Sequence, residues 1–166
     1  TSAVFASRAG KLRASSSDDR STVALPSRVS DAVELPSWAA AMGARGAFRA
    51  EGALLVELEQ PSEVRRYDPE LSVLATEPVD LVVLWALGGV GSEVTLRVFG
   101  PRIGIGEDPV TGSAHCSLAP LVAERLGESR YRAHQCSSRA GRIEVTVRGD
   151  EVEITGVTKI REEAST

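Results

Sequence analysis

The densest run of reactive side chains is Glu107-Asp108-Pro109-Val110-Thr111-Gly112-Ser113-Ala114-His115-Cys116, which carries two carboxylates, two hydroxyls, an imidazole and a thiol. Such a set suits proton transfer and anion binding. Behind it Ala114, Leu118, Leu121, Val122 and Leu126 recur near helical spacing, so the run reads as a loop feeding a helix N-terminus. The first amides of a helix have no partner within it and carry the positive end of its dipole. Gly112, Ser113 and Ala114, with Thr111 beside them, are therefore candidates to hold a carboxylate or phosphate, and glycine at 112 lets a ligand approach the backbone. The same residues also read as a plain helix entry, in which Thr111 or Ser113 caps the helix and Asp108 bonds nearby amides. His115 titrates near neutrality when solvated, but inside a core helix it packs as a hydrogen-bonded neutral ring.

A second reactive stretch is Gln135-Cys136-Ser137-Ser138-Arg139-Ala140-Gly141. Gln135 and Ser137 either face a cleft or satisfy buried backbone, and Arg139 either pairs with Glu107 or meets a substrate carboxylate. The two stretches, with Arg97-Val98-Phe99-Gly100-Pro101 ahead of the first, resemble the signature of the PhzF-like family, which is named for phenazine biosynthesis and related to diaminopimelate epimerase. The family's second block is usually written Arg-Gly-Gly where this chain has Arg139-Ala140-Gly141. The resemblance covers nearly the whole chain. It implies an α+β, diaminopimelate epimerase-like fold with antiparallel strands wrapped as a barrel around a central helix.

The resemblance also implies an activity: moving a proton between carbons, or inverting a stereocentre, in a cleft between two such domains and without a cofactor. A carbon acid beside a carboxylate is weak, so such a site must anchor the carboxylate, stabilise the developing charge and offer a base. On that analogy Asp108 is the catalytic residue of this chain, orienting a substrate amine or sharing protons. Thr111, Gly112, Ser113 and Ala114 bind a small carboxylated, amino-bearing metabolite, and His115, Gln135, Ser137 and Arg139 are possible cleft positions. The epimerases carry a cysteine just before the loop glycine. Here Thr111 stands there, and a hydroxyl is too poor an acid to replace a thiol. PhzF-like members instead use a glutamate from an N-terminal segment that also bears a Gly-His-Ala-Thr motif, and neither matches this sequence. Residues 1–27 then correspond to remnant strands of an N-terminal domain and 28–166 to a complete C-terminal domain. On this resemblance the base is supplied by an N-terminal segment that is missing from this sequence or carried on a separate chain, and the expected partner is that N-terminal half or a second copy in a homo-oligomer. A non-catalytic anion-binding or assembly module that kept the fold is the alternative.

Bulk properties narrow the field. The 166 residues are 42% hydrophobic, enough for one substantial core, and the net charge is −4 with a pI near 5.3. Basic residues are scattered, which argues against a nucleic-acid surface, and no apolar run approaches the ~20 residues that span a bilayer. A cytoplasmic location is the default expectation. Cys116 and Cys136 are too few for a disulfide framework, and their neighbours His115 and His134 show no familiar metal-ligand spacing.

Several elements must position these residues. Short strands are expected at Ala3 to Ala6, Lys11 to Ala14 and Thr22 to Leu25, with Ser15 to Asp19 as a turn. Arg28 to Asp31 reads as a linker into a helix near Leu35 to Trp38, closed by Gly43. Ala53 to Leu58 and Leu81 to Leu87 are apolar on both faces and read as buried strands, with one or two helical turns over Pro61 to Leu74 between them. Glu93 to Phe99 alternates like a half-buried strand that brings Arg97 to the signature loop. Pro120 interrupts the helix behind that loop. Strands at Tyr131 to Ser137, Arg142 to Val147 and Val152 to Val157 close the pattern, with Gly149-Asp150 as a hairpin turn and a charged, frayed tail after Ile160.

Overall fold

Apolar residues on both faces of a strand demand cover on both sides, and the middle of this protein is built on that requirement. In a computed structural model of the chain, which describes residues 1–7, 10–88 and 93–158, strands β6 (Ala53–Glu57), β7 (Leu81–Leu87) and β8 (Glu93–Gly100) lie side by side. Leu55, Val83, Trp85, Leu96 and Val98 enter one apolar cluster, whereas Leu54, Val56, Val82, Leu84 and Phe99 enter a second one. The second cluster is closed by three short helices, α1 (Ser37–Ala41), α2 (Pro61–Arg66) and α3 (Leu71–Leu74), through Ala39, Val64 and Leu74. The first is closed by the one long helix, α4 (His115–Leu126), through Leu118, Ala119, Leu121 and Val122. Thr95, expected to face outward from a half-buried strand, is 1% exposed because both faces of β8 are covered.

The remaining strands extend this sheet in both directions. Antiparallel β10 (Arg130–Gln135), β11 (Gly141–Arg148) and β12 (Glu151–Val157) bring Tyr131, Ala133, Val145 and Val152 against α4. Beyond β12 come β3 (Arg20–Pro26), β2 (Gly10–Ser17) and β1 (Ser2–Ser7), and beyond β6 come β5 (Gly46–Ala50) and β4 (Asp31–Val33). The path of pairing is β1-β2-β3-β12-β11-β10-β8-β7-β6-β5-β4, with β9 (Ile105–Asp108) attached to β8.

The expected α+β class is thus present, with two corrections to the barrel. Strands from both halves of the sheet do pack around α4, but β1 and β4 do not pair, so the ladder has two ends. It is also mixed: β8 runs parallel to β10, and β6 parallel to β7. A chain that returns through α4 or through α2 and α3 between two strands can enter the next one in the same direction, which a hairpin cannot. Ser15 to Ser17, expected as a turn, continue β2 as far as the Asp18-Asp19 tip. The stretch expected as a linker leads into β4, and β5 was not foreseen. The frayed tail expected after Ile160 lies outside the described residues. No described helix is long and apolar enough to cross a membrane.

Pro120 sits inside α4 and cannot donate to the carbonyl four residues earlier, that of Cys116. That carbonyl accepts instead the backbone N–H of Arg28 at 2.8 Å. The gap in the helix ladder thereby becomes an anchor for the segment leaving β3.

Candidate functional site

The signature loop is held from several directions. β8 delivers Arg97, and β9 folds back onto β8 with Val98 opposite Asp108 and Gly100 opposite Ile105, an irregular register. Glu107 therefore meets Arg97, which donates from Nε at 2.7 Å and from Nη2 at 3.0 Å to its two carboxylate oxygens. This fork is the strong geometry for such a pair. Arg97 also donates to the carbonyl of Tyr67, and its guanidinium lies 5.0 Å from the centroid of the Phe99 ring. The hydrogen bond to Glu107 raises the Arg97 pKa above its already high ordinary value. Arg139, the alternative partner for Glu107, is exposed and has no polar partner among the described residues.

Past Asp108 the loop is gripped by β10. Gln135, 3% exposed, accepts the Thr111 N–H at 2.8 Å and donates from Nε2 to the Asp108 carbonyl at 2.6 Å. Thr111 Oγ1 donates to Asp108 Oδ2 at 2.6 Å, fixing the carboxylate against its own loop. Ser137 Oγ donates to the Pro109 carbonyl at 2.9 Å and accepts the Ala140 N–H at 3.1 Å. Of the two readings open for Gln135 and Ser137, the structure gives the second: both satisfy backbone. Ala140 occupies the left-handed region at φ 51°, which a side chain disfavours, at the position where the family pattern has glycine. At Gly141 a Cβ would stand 2.3 Å from Val110 Cγ2, so a larger residue there requires the Val110 side chain to move.

The first backbone bond of the helix entry is donated by His115 to the Gly112 carbonyl, and Ala114 caps α4 with no side-chain bond. The amides of Gly112, Ser113 and Ala114 precede it in the chain. An open cleft of about 290 Å³ lies here, lined from the loop by Asp108, Thr111 and Ser113 and from the first turn of α4 by Ser117. Gly112 and Ala114 are not among its lining residues. Sequence reasoning missed the side chains supplied by other elements: Arg28 after β3, Glu51 in the β5–β6 turn and Asp80 before β7. No local pattern marks them, because only the sheet order brings them to the loop.

His115, Gln135, Ser137 and Arg139, the possible cleft positions, do not line this cavity. His115 is fully buried, sharing a hydrogen bond between Nδ1 and the Tyr131 hydroxyl at 2.9 Å, while its Nε2 has no partner among the described residues. Burial lowers its pKa to about 4, so the ring is neutral at physiological pH. Burial also pushes the Cys116 thiol up, opposed in part by the charge of Arg28. Cys116 and Cys136 are unbridged, and no group of three potential metal ligands occurs among the described residues.

Residues 14–164 match the profile of the phenazine biosynthesis-like protein family. The chain belongs to this family. Two uncharacterized isomerases of Pseudomonas aeruginosa are similar to it, 38% identical over 156 residues and 36% over 162, each alignment covering 92% of this chain and 59% of the relative. Among solved structures, a PhzF-family phenazine biosynthesis protein of Enterococcus faecalis superimposes with a TM-score of 0.84 at 28% identity, over 94% of this chain and 61% of that one. A putative phenazine biosynthesis protein of Clostridium difficile gives 0.85 at 25% identity, over 99% and 64%. The chain thus spans about three-fifths of the length of these family members.

Proposed function

We propose that this chain supplies the C-terminal part of an isomerase or epimerase that shifts a proton on a small carboxylated, amino-bearing metabolite without a cofactor. The observation that carries the reading is the braced signature loop, which sets Asp108, Thr111 and Ser113 on an open cleft beside the start of α4. Helix-start amides and hydroxyls anchor a carboxylate there, and Asp108 faces the amine. That the two Pseudomonas relatives are named uncharacterized isomerases supports the reaction class.

The acid-base glutamate comes, on this reading, from a segment outside this chain. Glu51 lines the cleft, but its side chain stands at the solvent-facing rim, 86% exposed. We assign residues 1–27 to the edge of an N-terminal domain and 28–166 to the C-terminal domain, and infer that an N-terminal half, or a second copy of the chain, completes the cleft. The test is deuterium incorporation from D2O into a panel of small amino carboxylates, followed by NMR, with the chain alone and with an added segment bearing the glutamate and the Gly-His-Ala-Thr motif. Exchange that requires the added segment supports the reading. Binding with no exchange in either mixture would leave the non-catalytic anion-binding module.

A further inference from the structure

The cleft carries a pronounced asymmetry of charge. Among its described lining residues Arg28 is the one basic side chain, facing three carboxylates, Glu51, Asp80 and Asp108. Arg28 is also the residue whose backbone N–H fills the gap left by Pro120, so its Cα is pinned against the first turn of α4. Its guanidinium therefore shares the cleft with Ser113 and Ser117 of that turn.

The present engagement of the guanidinium is weak. Nη1 donates to the Glu51 carbonyl at 3.1 Å, and Nε lies 3.8 Å from a Glu51 carboxylate oxygen. Glu51 is a solvated residue at the cleft rim, and such exposed pairs contribute little. Most of the five donors of the fork remain available. A cation pinned by its backbone, weakly held by its side chain and set beside a helix start is poised to exchange a solvated carboxylate for a bound one.

We propose that Arg28 is the substrate-carboxylate anchor of this cleft and that its ligands are small zwitterions, with the carboxylate between Arg28 and the start of α4 and the ammonium toward Asp108. The inference rests on reading this cavity as the substrate site. A guanidinium fork takes both carboxylate oxygens, which lysine cannot do. It also offsets the charge of the carboxylate, lowering the cost of negative charge that develops on the neighbouring carbon as its proton leaves. The site so built distinguishes an amino acid from a plain amine through Arg28 and from a plain acid through Asp108.

Three probes on saturated six-membered rings separate these contributions: pipecolate, cyclohexanecarboxylate and piperidine, titrated into the full chain while the amide signals of Gly112, Ser113 and Ala114 are followed by NMR. Arg28→Met keeps the backbone bond to Cys116 and should weaken both carboxylates about tenfold or more, leaving piperidine within about twofold. Arg28→Lys, which keeps the charge but loses the fork, should fall between Arg28→Met and the unchanged chain and guards against a folding defect. Carboxylate binding unchanged in Arg28→Met, with the same amides still responding, overturns the assignment of Arg28 and leaves the cleft reading standing. Equal loss of all three probes shows a structural role and overturns it too. If no probe moves those amides in the unchanged chain, alone or with the added N-terminal segment, the cleft reading falls and Arg28 with it.

Discussion

One face of the sheet passes through two different environments. Over β10 to β12 it lies against α4, and Tyr131, Val145 and Val152 are at most 1% exposed. Register carries the same face onward, with Val152 opposite Leu25, Ile154 opposite Val23, Val23 opposite Ala14 and Leu12 opposite Phe5. There Leu12, Ala14, Val23 and Leu25 are only half-buried and Phe5 is 55% exposed. The alternation of side chains is alike in both halves, so what differs is whether another element lies on top. The covered half also holds the signature loop through β10, whereas β1 and β2 are held to the sheet chiefly by their backbone ladder. Precision at the site and exposure at the arm are two outcomes of one pattern.

The largest effect should come from releasing the loop on the covered side. Gln135→Leu keeps the volume but leaves the buried Thr111 N–H and the Asp108 carbonyl without their partner. With each of the two orphaned groups costing about 1–3 kcal/mol, we expect a loss of about 2–6 kcal/mol in urea unfolding. An unchanged unfolding midpoint would mean that the loop holds its shape without β10.

Next is the pH dependence that His115 confers on the same half. Its folded pKa of about 4 lies below the unfolded value of 6.5, so between them the unfolded chain binds more protons. The stability contributed by the neutral ring is fully present above pH 6.5 and is lost as pH falls toward 4. A shift of this size corresponds to about 3 kcal/mol. Unfolding free energies measured from pH 7 to pH 4 should decline accordingly, and His115→Phe should flatten the curve over that window. A slope that survives the substitution would place the titrating group elsewhere.

These two residues also show what the sequence could tell. Both stood out by type, and for both the sequence offered a choice between cleft and core that only packing decides. The buried strands Ala53 to Leu58 and Leu81 to Leu87 were legible because an unbroken apolar run needs cover on two faces. β5 was not, since Gly46-Ala47-Phe48-Arg49-Ala50 has weak strand propensity and is held by its neighbours on either side. Arg28 looked like linker because its role depends on Pro120, remote in sequence, and no spacing rule links the two. The parallel pairs and the two open ends of the sheet depend on which strands meet, which periodicity does not encode.

A smaller, stabilising effect is expected at Ala140. Its φ of 51° costs a residue with a side chain about 1–2 kcal/mol, part of which glycine returns as greater freedom in the unfolded chain. Ala140→Gly should therefore gain about 0.5–1 kcal/mol in urea unfolding. A loss would mean that the Ser137 to Gly141 turn relaxes to accommodate the methyl group.

The smallest effect on the chain alone should come from the uncovered half, and it sharpens the comparison most. Phe5→Ser removes the large exposed apolar side chain on the continued inner face. Because that ring leaves little water behind, the unfolding free energy should stay within about 0.5 kcal/mol of the unchanged chain. Association is different, since an aromatic ring on an open apolar face contributes to binding what it does not contribute to folding. If the proposed N-terminal half or second copy covers this face, native mass spectrometry should show the assembly weakened by Phe5→Ser while the fold persists. A substitution that destabilises the lone chain as much as Gln135→Leu would show instead that the arm is already packed, and the contrast between the two halves would disappear.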